Sequence, residues 1–295
     1  AGGQIMNRNG AAISFGSLES TGASTVLAGT QTVGAATTYS IGALNTNTTF
    51  AGSITDGGNT TTNAATNITK VGTGTWTLTG QGQHSGTTTV SAGAMFVNGS
   101  FVVSPIRSLA SAVSVSSGAT LGGSGSIAGV TTVNSGGTLI AGAAPSTVGT
   151  FTAAGGLTLA GTTTVQLDLS NTAASGNDKI TVSAGNLTLS SGTVNVAINL
   201  INGELGSGTY ALIDGNATMV ANPAPTMNLV GLPTGARQTF TLQRAANTST
   251  PAFVNLVVAG TPPASLTWTG SGGANWDLNT TSNFSGGPTA TFFNF

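Results

Sequence analysis

The 295-residue chain has no cysteine. Disulfides and thiolate metal sites are excluded, and the absence by itself fits an oxidising or a reducing compartment. Charge is nearly as scarce: Lys, Arg, Asp and Glu make up 4% of the residues, against roughly 25% in ordinary globular domains. Sixty consecutive positions between Arg107 and Asp168 carry no ionisable side chain. The six basic residues, Arg8, Lys70, Arg107, Lys179, Arg237 and Arg244, are scattered and the net charge is −1, which leaves no electrostatic footprint for nucleic acid. No apolar run approaches the roughly 18–20 residues needed to cross a bilayer as a helix, so no transmembrane segment is expected. No initiating Met with a charged region follows the pattern of a leader, so the expectation is that any signal peptide has been removed.

What remains is Gly, Thr, Ser, Asn and small aliphatics. Helices in water lean on Lys, Glu and Arg, whereas Thr and Val suit a pleated surface, so the class is all-β. Glycine and proline together reach about 18%, below the roughly 25–30% of disordered tracts, and 39% of the residues are hydrophobic. Burial, rather than disorder, is expected.

A short phrase recurs: VSAGAMFV from Val90, VSSGATLG from Val115, VNSGGTLI from Val133 and VSAGNLTL from Val182, with a looser FTAAGGLTL from Phe151. Each is an apolar residue, small polar residues, a glycine (Gly93, Gly118, Gly136, Gly185), then an alternating strand. Self-similarity at this spacing marks a solenoid whose unit is strand and turn. Rungs of about 20 to 25 residues predict 12 to 15 coils and a rod of roughly 60–70 Å at about 4.8 Å per rung. Period-two alternation places Val90, Val115, Val133, Leu157, Val165, Val182 and Val194 inside, with Thr132 and Thr164 outside. The solenoid is expected over 1–260, with looser, Pro-punctuated rungs from about 202. The segment 261–295 reads as a Trp-containing β unit, the start of a further repeat or an assembly element.

The segments around Lys70 resemble the passenger regions of bacterial autotransporters, in particular the autotransporter-associated β-strand repeat. Its pattern is KxGxGxxxLxG, a turn, then GxTxVxxGxLxV. Lys70, Gly72, Gly74, Leu78 and Gly80 match the first half. Gly86, Thr87, Thr89, Val90, Gly93 and Val97 match the second, with Met95 where Leu is usual. The resemblance implies a right-handed parallel β-helix on the outside of a bacterial cell, serving as stalk, adhesin or scaffold. No segment reads as a membrane barrel, with its roughly ten-residue alternating spans. The barrel is therefore expected to be cleaved, to lie outside this chain, or to be replaced by another export route.

Convergent chemistry is sparse. His84, the only histidine, sits in GQGQHSG and reads as an exposed turn residue; the nearest carboxylates in sequence are Asp56 and Asp168. Asp168, Asp178 and Lys179 form the densest charge cluster. Two carboxylates suit a glycosidase or a calcium site, yet such sites need more groups, and Asp178 fits a strand-start residue bonding turn amides. Trp268, Trp276 and Phe284 recur every eight residues, either to stack on sugar rings or to pack the coil. No catalytic residue, metal or cofactor is expected. The reading is a non-enzymatic structural protein, extracellular or on a bacterial surface, that associates with itself. An adhesin gripping polysaccharide and a β-helical lyase or hydrolase are the alternatives. Neither end reads as a cap, so edge strands are expected to pair with other copies.

Overall fold

The computed structural model describes residues 3–32, 34–58, 64–105, 109–232 and 238–260, and the backbone of Thr267–Trp268 and Phe284–Ser285. Among these residues there is no helix; the molecule is an all-β parallel solenoid with three faces.

Sheet I stacks Gln4–Met6, Val26–Ala28, Ser53–Thr55, Gln81–Gln83, Ser100–Phe101, Ser126–Ile127, Thr150–Ala153, Lys179–Val182 and Gly208–Asp214 in parallel. Sheet II stacks Ala12–Phe15, Thr37–Ile41, Thr66–Lys70, Thr88–Val90, Val113–Val115, Thr131–Val133, Leu157–Leu159, Asn186–Leu189 and Thr218–Val220. Sheet III runs from Thr48–Phe50 through Thr75–Leu78, Ala94–Val97, Thr120–Gly123, Thr138–Ala141, Thr163–Leu169 and Thr193–Leu200 to Thr226–Val230. After Gly208–Asp214 the pairing reverses: Val254–Gly260 joins sheet I antiparallel, and Gln238–Arg244 pairs antiparallel on its outer edge.

Nine parallel strands in sheets I and II mean nine rungs among the described residues, about 40 Å at the usual spacing, not the 12 to 15 expected. The phrase that set the expectation marks corners rather than rungs. At Val90, Val115 and Val133 it turns the chain from sheet II into sheet III. At Phe151 and Val182 it turns the chain from sheet I into sheet II. One coil therefore takes anywhere from 18 residues, between the paired Val115 and Val133, to 33, between Ile180 and Ile213.

Alternation places one side of each strand in a continuous core. Along sheet II the row Phe15, Ile41, Lys70, Val90, Val115, Val133, Leu159, Leu189 is in register from rung to rung. All seven positions expected to point inward are buried, and Thr132 and Thr164 lie on the half-exposed side. The first rungs carry the large rings: Phe15 stacks on Tyr39, and Phe50 packs against Trp76. Their polar tips are used, with the Tyr39 hydroxyl donating to Ala28 O (2.6 Å) and Trp76 Nε1 donating to Leu18 O (3.0 Å). Later rungs are filled mainly by Val, Leu and Ile, with Phe101, Phe151 and Tyr210 among them. In sheet I, Gly82 leaves a gap in the inward row that the ring of Phe101 on the next rung fills.

Candidate functional site

Three polar clusters could carry chemistry, and each is built from the turns outward. The first is the corner after Thr66–Lys70. Lys70 is in the inward row, 1% exposed, with Ile41 and Val90 as its rung neighbours. Its stem follows the core, and its Nζ donates to Val71 O (2.7 Å), Gly72 O (3.0 Å) and Ala92 O (3.2 Å). The ammonium thus ties its own corner to the corner of the next rung. Burial pulls its pKa below the ordinary lysine value. Gly72 (φ +71°) and Gly93 (φ +64°) are in the left-handed region at this corner, and a Cβ on Gly93 would stand 2.4 Å from Gly72 O. Gly118, Gly136 and Gly185 take positive φ at the equivalent turns. Gly74 and Gly86 are excluded from carrying a side chain by Thr46 O (2.3 Å) and Thr66 O (2.2 Å) of the previous rung. Leu78, the remaining motif residue of this half, is buried beside Phe50 and Val97.

The second cluster surrounds His84, which is fully buried rather than an exposed turn residue. The alternation of the short strand Gln81–Gln83 continues through Gly86, so Gly82, His84 and Gly86 face the core while Gln81 is exposed, and the His84 ring meets the edge of Phe101 at 5.1 Å. His84 Nε2 pairs with Thr88 Oγ1 (2.8 Å), which pairs in turn with Ser111 Oγ (2.9 Å). Asp56, one rung earlier, accepts from the N–H of Thr66 (3.0 Å), the N–H of Ser85 (3.0 Å) and the Ser104 hydroxyl (2.7 Å). Burial pushes the His84 pKa down to about 4, against the opposing pull of the Asp56 charge, so the ring is neutral at pH 7. The residue types are those of a nucleophilic relay, but the bonding is not. The bonds of Asp56 go to backbone amides and Ser104, and among the described residues Nδ1 of His84 has no partner. Sequence reading did not bring Asp56, Thr88, Ser104 and Ser111 together. The signal was the local rung length of 28, which the pairs Asn45–Thr73 and Asn47–Thr75 repeat.

The third cluster is at the far end. Asp178 accepts from the loop N–H of Gly149 (2.7 Å), the kind of amide its position suggested, and from the strand N–H of Asp168 (2.8 Å). Lys179 does not join the pair; it bridges to Asp214 at 3.1 Å, with both side chains more than a third exposed. Among the described residues, no group of three or more His, Asp or Glu side chains is placed to hold a metal ion.

Between the clusters, the outward side of sheet II is a column of hydroxyls. Ser14, Ser40, Thr69, Thr89, Ser114, Thr132, Thr158 and Thr188 follow one another in register until Val220 ends the row. At about 4.8 Å per rung this column is about 34 Å long. Thr267–Trp268 and Phe284–Ser285 form an antiparallel pair with Trp268 opposite Phe284. Trp276 lies outside the described residues. Among the described residues no helix is long and apolar enough to cross a membrane.

No protein-family model matches the chain, and no curated protein matches it.

Proposed function

We propose that this chain is a structural protein of a bacterial exterior, a rod or matrix scaffold that associates with itself. The observation that supports this reading best is how the polar groups of the interior are used. Lys70 is bonded to three corner carbonyls, Asp56 to two backbone amides and a hydroxyl, and Asp178 to two backbone amides. These groups hold rungs together, which is the work of a scaffold. The match of Lys70, Gly72, Gly74, Leu78, Gly86, Val90 and Gly93 to the autotransporter-associated repeat supports an exported, surface-attached location. Edge strands supply the means of association, because a neighbouring copy that adds a strand satisfies their free N–H and C=O groups. Sedimentation across a wide concentration range tests this. Species that grow with concentration and lengthen along one axis are expected; a 28.5 kDa species at every concentration counts against it.

The hydroxyl column of sheet II favours a second reading, a module that lies along neutral polysaccharide. A row of Ser and Thr without charge offers a sugar chain donors and acceptors at one repeat per rung. A glycan array separates the two readings. Binding that is lost when Thr132 and Thr158 are replaced by Glu supports the second; an array without signal leaves the scaffold.

A further inference from the structure

The dipeptide Asn-Gly occurs three times, as Asn9–Gly10, Asn98–Gly99 and Asn202–Gly203. A glycine after asparagine has no Cβ to keep its nitrogen away from the side-chain amide carbon, so the backbone can close on the side chain. Closure needs a near-attack geometry, which requires the asparagine amide, the glycine N–H and the backbone between them to be free to turn. The fold treats the three copies differently. Asn98 is locked: its Nδ2 donates to Ala143 O (2.9 Å), its Oδ1 accepts from the Ser124 N–H (3.1 Å), and the Gly99 N–H donates to Leu78 O (3.0 Å). Gly99 is also wedged against the previous rung, where a Cβ would collide with Gly80 O.

Asn9 is exposed but clamped. The buried Asn7 bridges the pair, donating from Nδ2 to Ala11 O (2.6 Å) and accepting the Asn9 N–H on Oδ1 (3.1 Å), while Gly10 is seated against Ala35. Asn202 and Gly203 are both exposed and open. Among the described residues, neither the Asn202 side chain nor the Gly203 N–H has a hydrogen-bond partner. Gly203 has φ +88°, and no heavy atom stands within 4 Å of the place a Cβ would take. The turn is nevertheless fixed on either side. The Ile201 N–H donates to Leu169 O (3.1 Å) and the Gly206 N–H to Asn171 O (3.0 Å), while Leu205 is buried and its carbonyl accepts from Gln238 Nε2 (2.6 Å). Asn202–Gly203 is a free bight between two held ends.

We propose that Asn202 is a site of spontaneous covalent modification, at which the folded chain deamidates through a succinimide while Asn98 is spared. The Gly203 nitrogen gives its proton to solvent and bonds to Asn202 Cγ. The Cγ–Nδ2 bond breaks, and Nδ2 leaves as ammonia with a proton from water. Water then opens the ring in one of two ways. Breaking the new bond between Cγ and nitrogen gives aspartate. Breaking the original main-chain bond gives isoaspartate, whose main chain runs through Cβ and Cγ. Either product adds one negative charge to a chain whose net charge is −1, two positions before Glu204. The longer main chain of isoaspartate is taken up within the free bight, so the bonds of Ile201 and Gly206 to the previous rung survive.

Peptide mapping by mass spectrometry tests this on the full chain, held at mildly alkaline pH both folded and unfolded in urea. Fragmentation that separates isoaspartate from aspartate reads the products. In urea the three dipeptides should convert at similar rates, since their chemistry is the same. In the folded chain Asn202 should stay close to its unfolded rate. Asn98 should fall at least about a hundredfold below its own, because three hydrogen bonds must open before the ring can close, and Asn9 should lie between them. Asn202→Gln should remove the product at 202 and leave the melting temperature unchanged. Folding that slows Asn202 by about tenfold or more, or an Asn98 that converts as fast as Asn202 in the folded chain, overturns the proposal.

Discussion

Replacing Lys70 by methionine keeps the stem in the inward row and removes only the ammonium. The three carbonyls of Val71, Gly72 and Ala92 then lose their donor, at 2.7, 3.0 and 3.2 Å. Hydrogen bonds to a charged group contribute about 1.5–3 kcal/mol each after desolvation has been counted. The corner carbonyls are partly open to water, so the lower end applies, and the longest bond counts least. The expected loss is about 3 kcal/mol, or about 5 °C in melting temperature for a chain of this size. Lys179→Met is the control, because it breaks an ion pair whose partners are 39% and 36% exposed, worth at most about 1 kcal/mol. Denaturant unfolding followed by circular dichroism measures both. If Lys70→Met were as stable as the wild type, the ammonium would not be what joins the two corners. Its place in the repeat would then need another explanation.

Three further perturbations test other parts of the account. Val133→Asp should lose at least about 4 kcal/mol by burying an unpaired charge, while its neighbour Thr132→Asp, facing out, should be close to silent; equal melting of the two would reverse the assignment of faces. Gly93→Ala should cost at least about 2 kcal/mol, because φ is +64° and the methyl meets Gly72 O; an unchanged midpoint in urea would show that the corner relaxes freely. His84 is neutral in the fold, with its pKa depressed to about 4, so it contributes stability above about pH 6.5 that is lost as pH falls to about 4, worth about 3 kcal/mol. Asp178 acts in the opposite sense over much the same range, so unfolding of His84→Gln should show stability rising toward acid where the wild type stays level; the same profile for both would refute the His84 assignment.

Much of the fold was written in local pattern. Alternation alone located the inward residues Val90 to Val194, because a period of two leaves a strand one choice of face. The rung count was not local. VSAGAMFV and VSAGNLTL are the same turn used at two different corners, and nothing within eight residues says which sheet the next strand joins. The burial of His84 was equally out of reach, since it depends on Phe101 filling the space above Gly82 and on Thr88 and Ser111 lying alongside. Turn chemistry was legible where one residue did the work, as with Asp178. Lys70 marked itself by its place in the repeat, but only the stacked corner shows that Ala92 O belongs to the same clasp.

Electron microscopy of the purified chain, taken from dilute to concentrated solution, tests the scaffold reading most directly. The account predicts narrow rods that lengthen in steps of at least about 40 Å, the height of the nine rungs among the described residues, as copies add edge to edge. Single particles of one rod length at every concentration would contradict it.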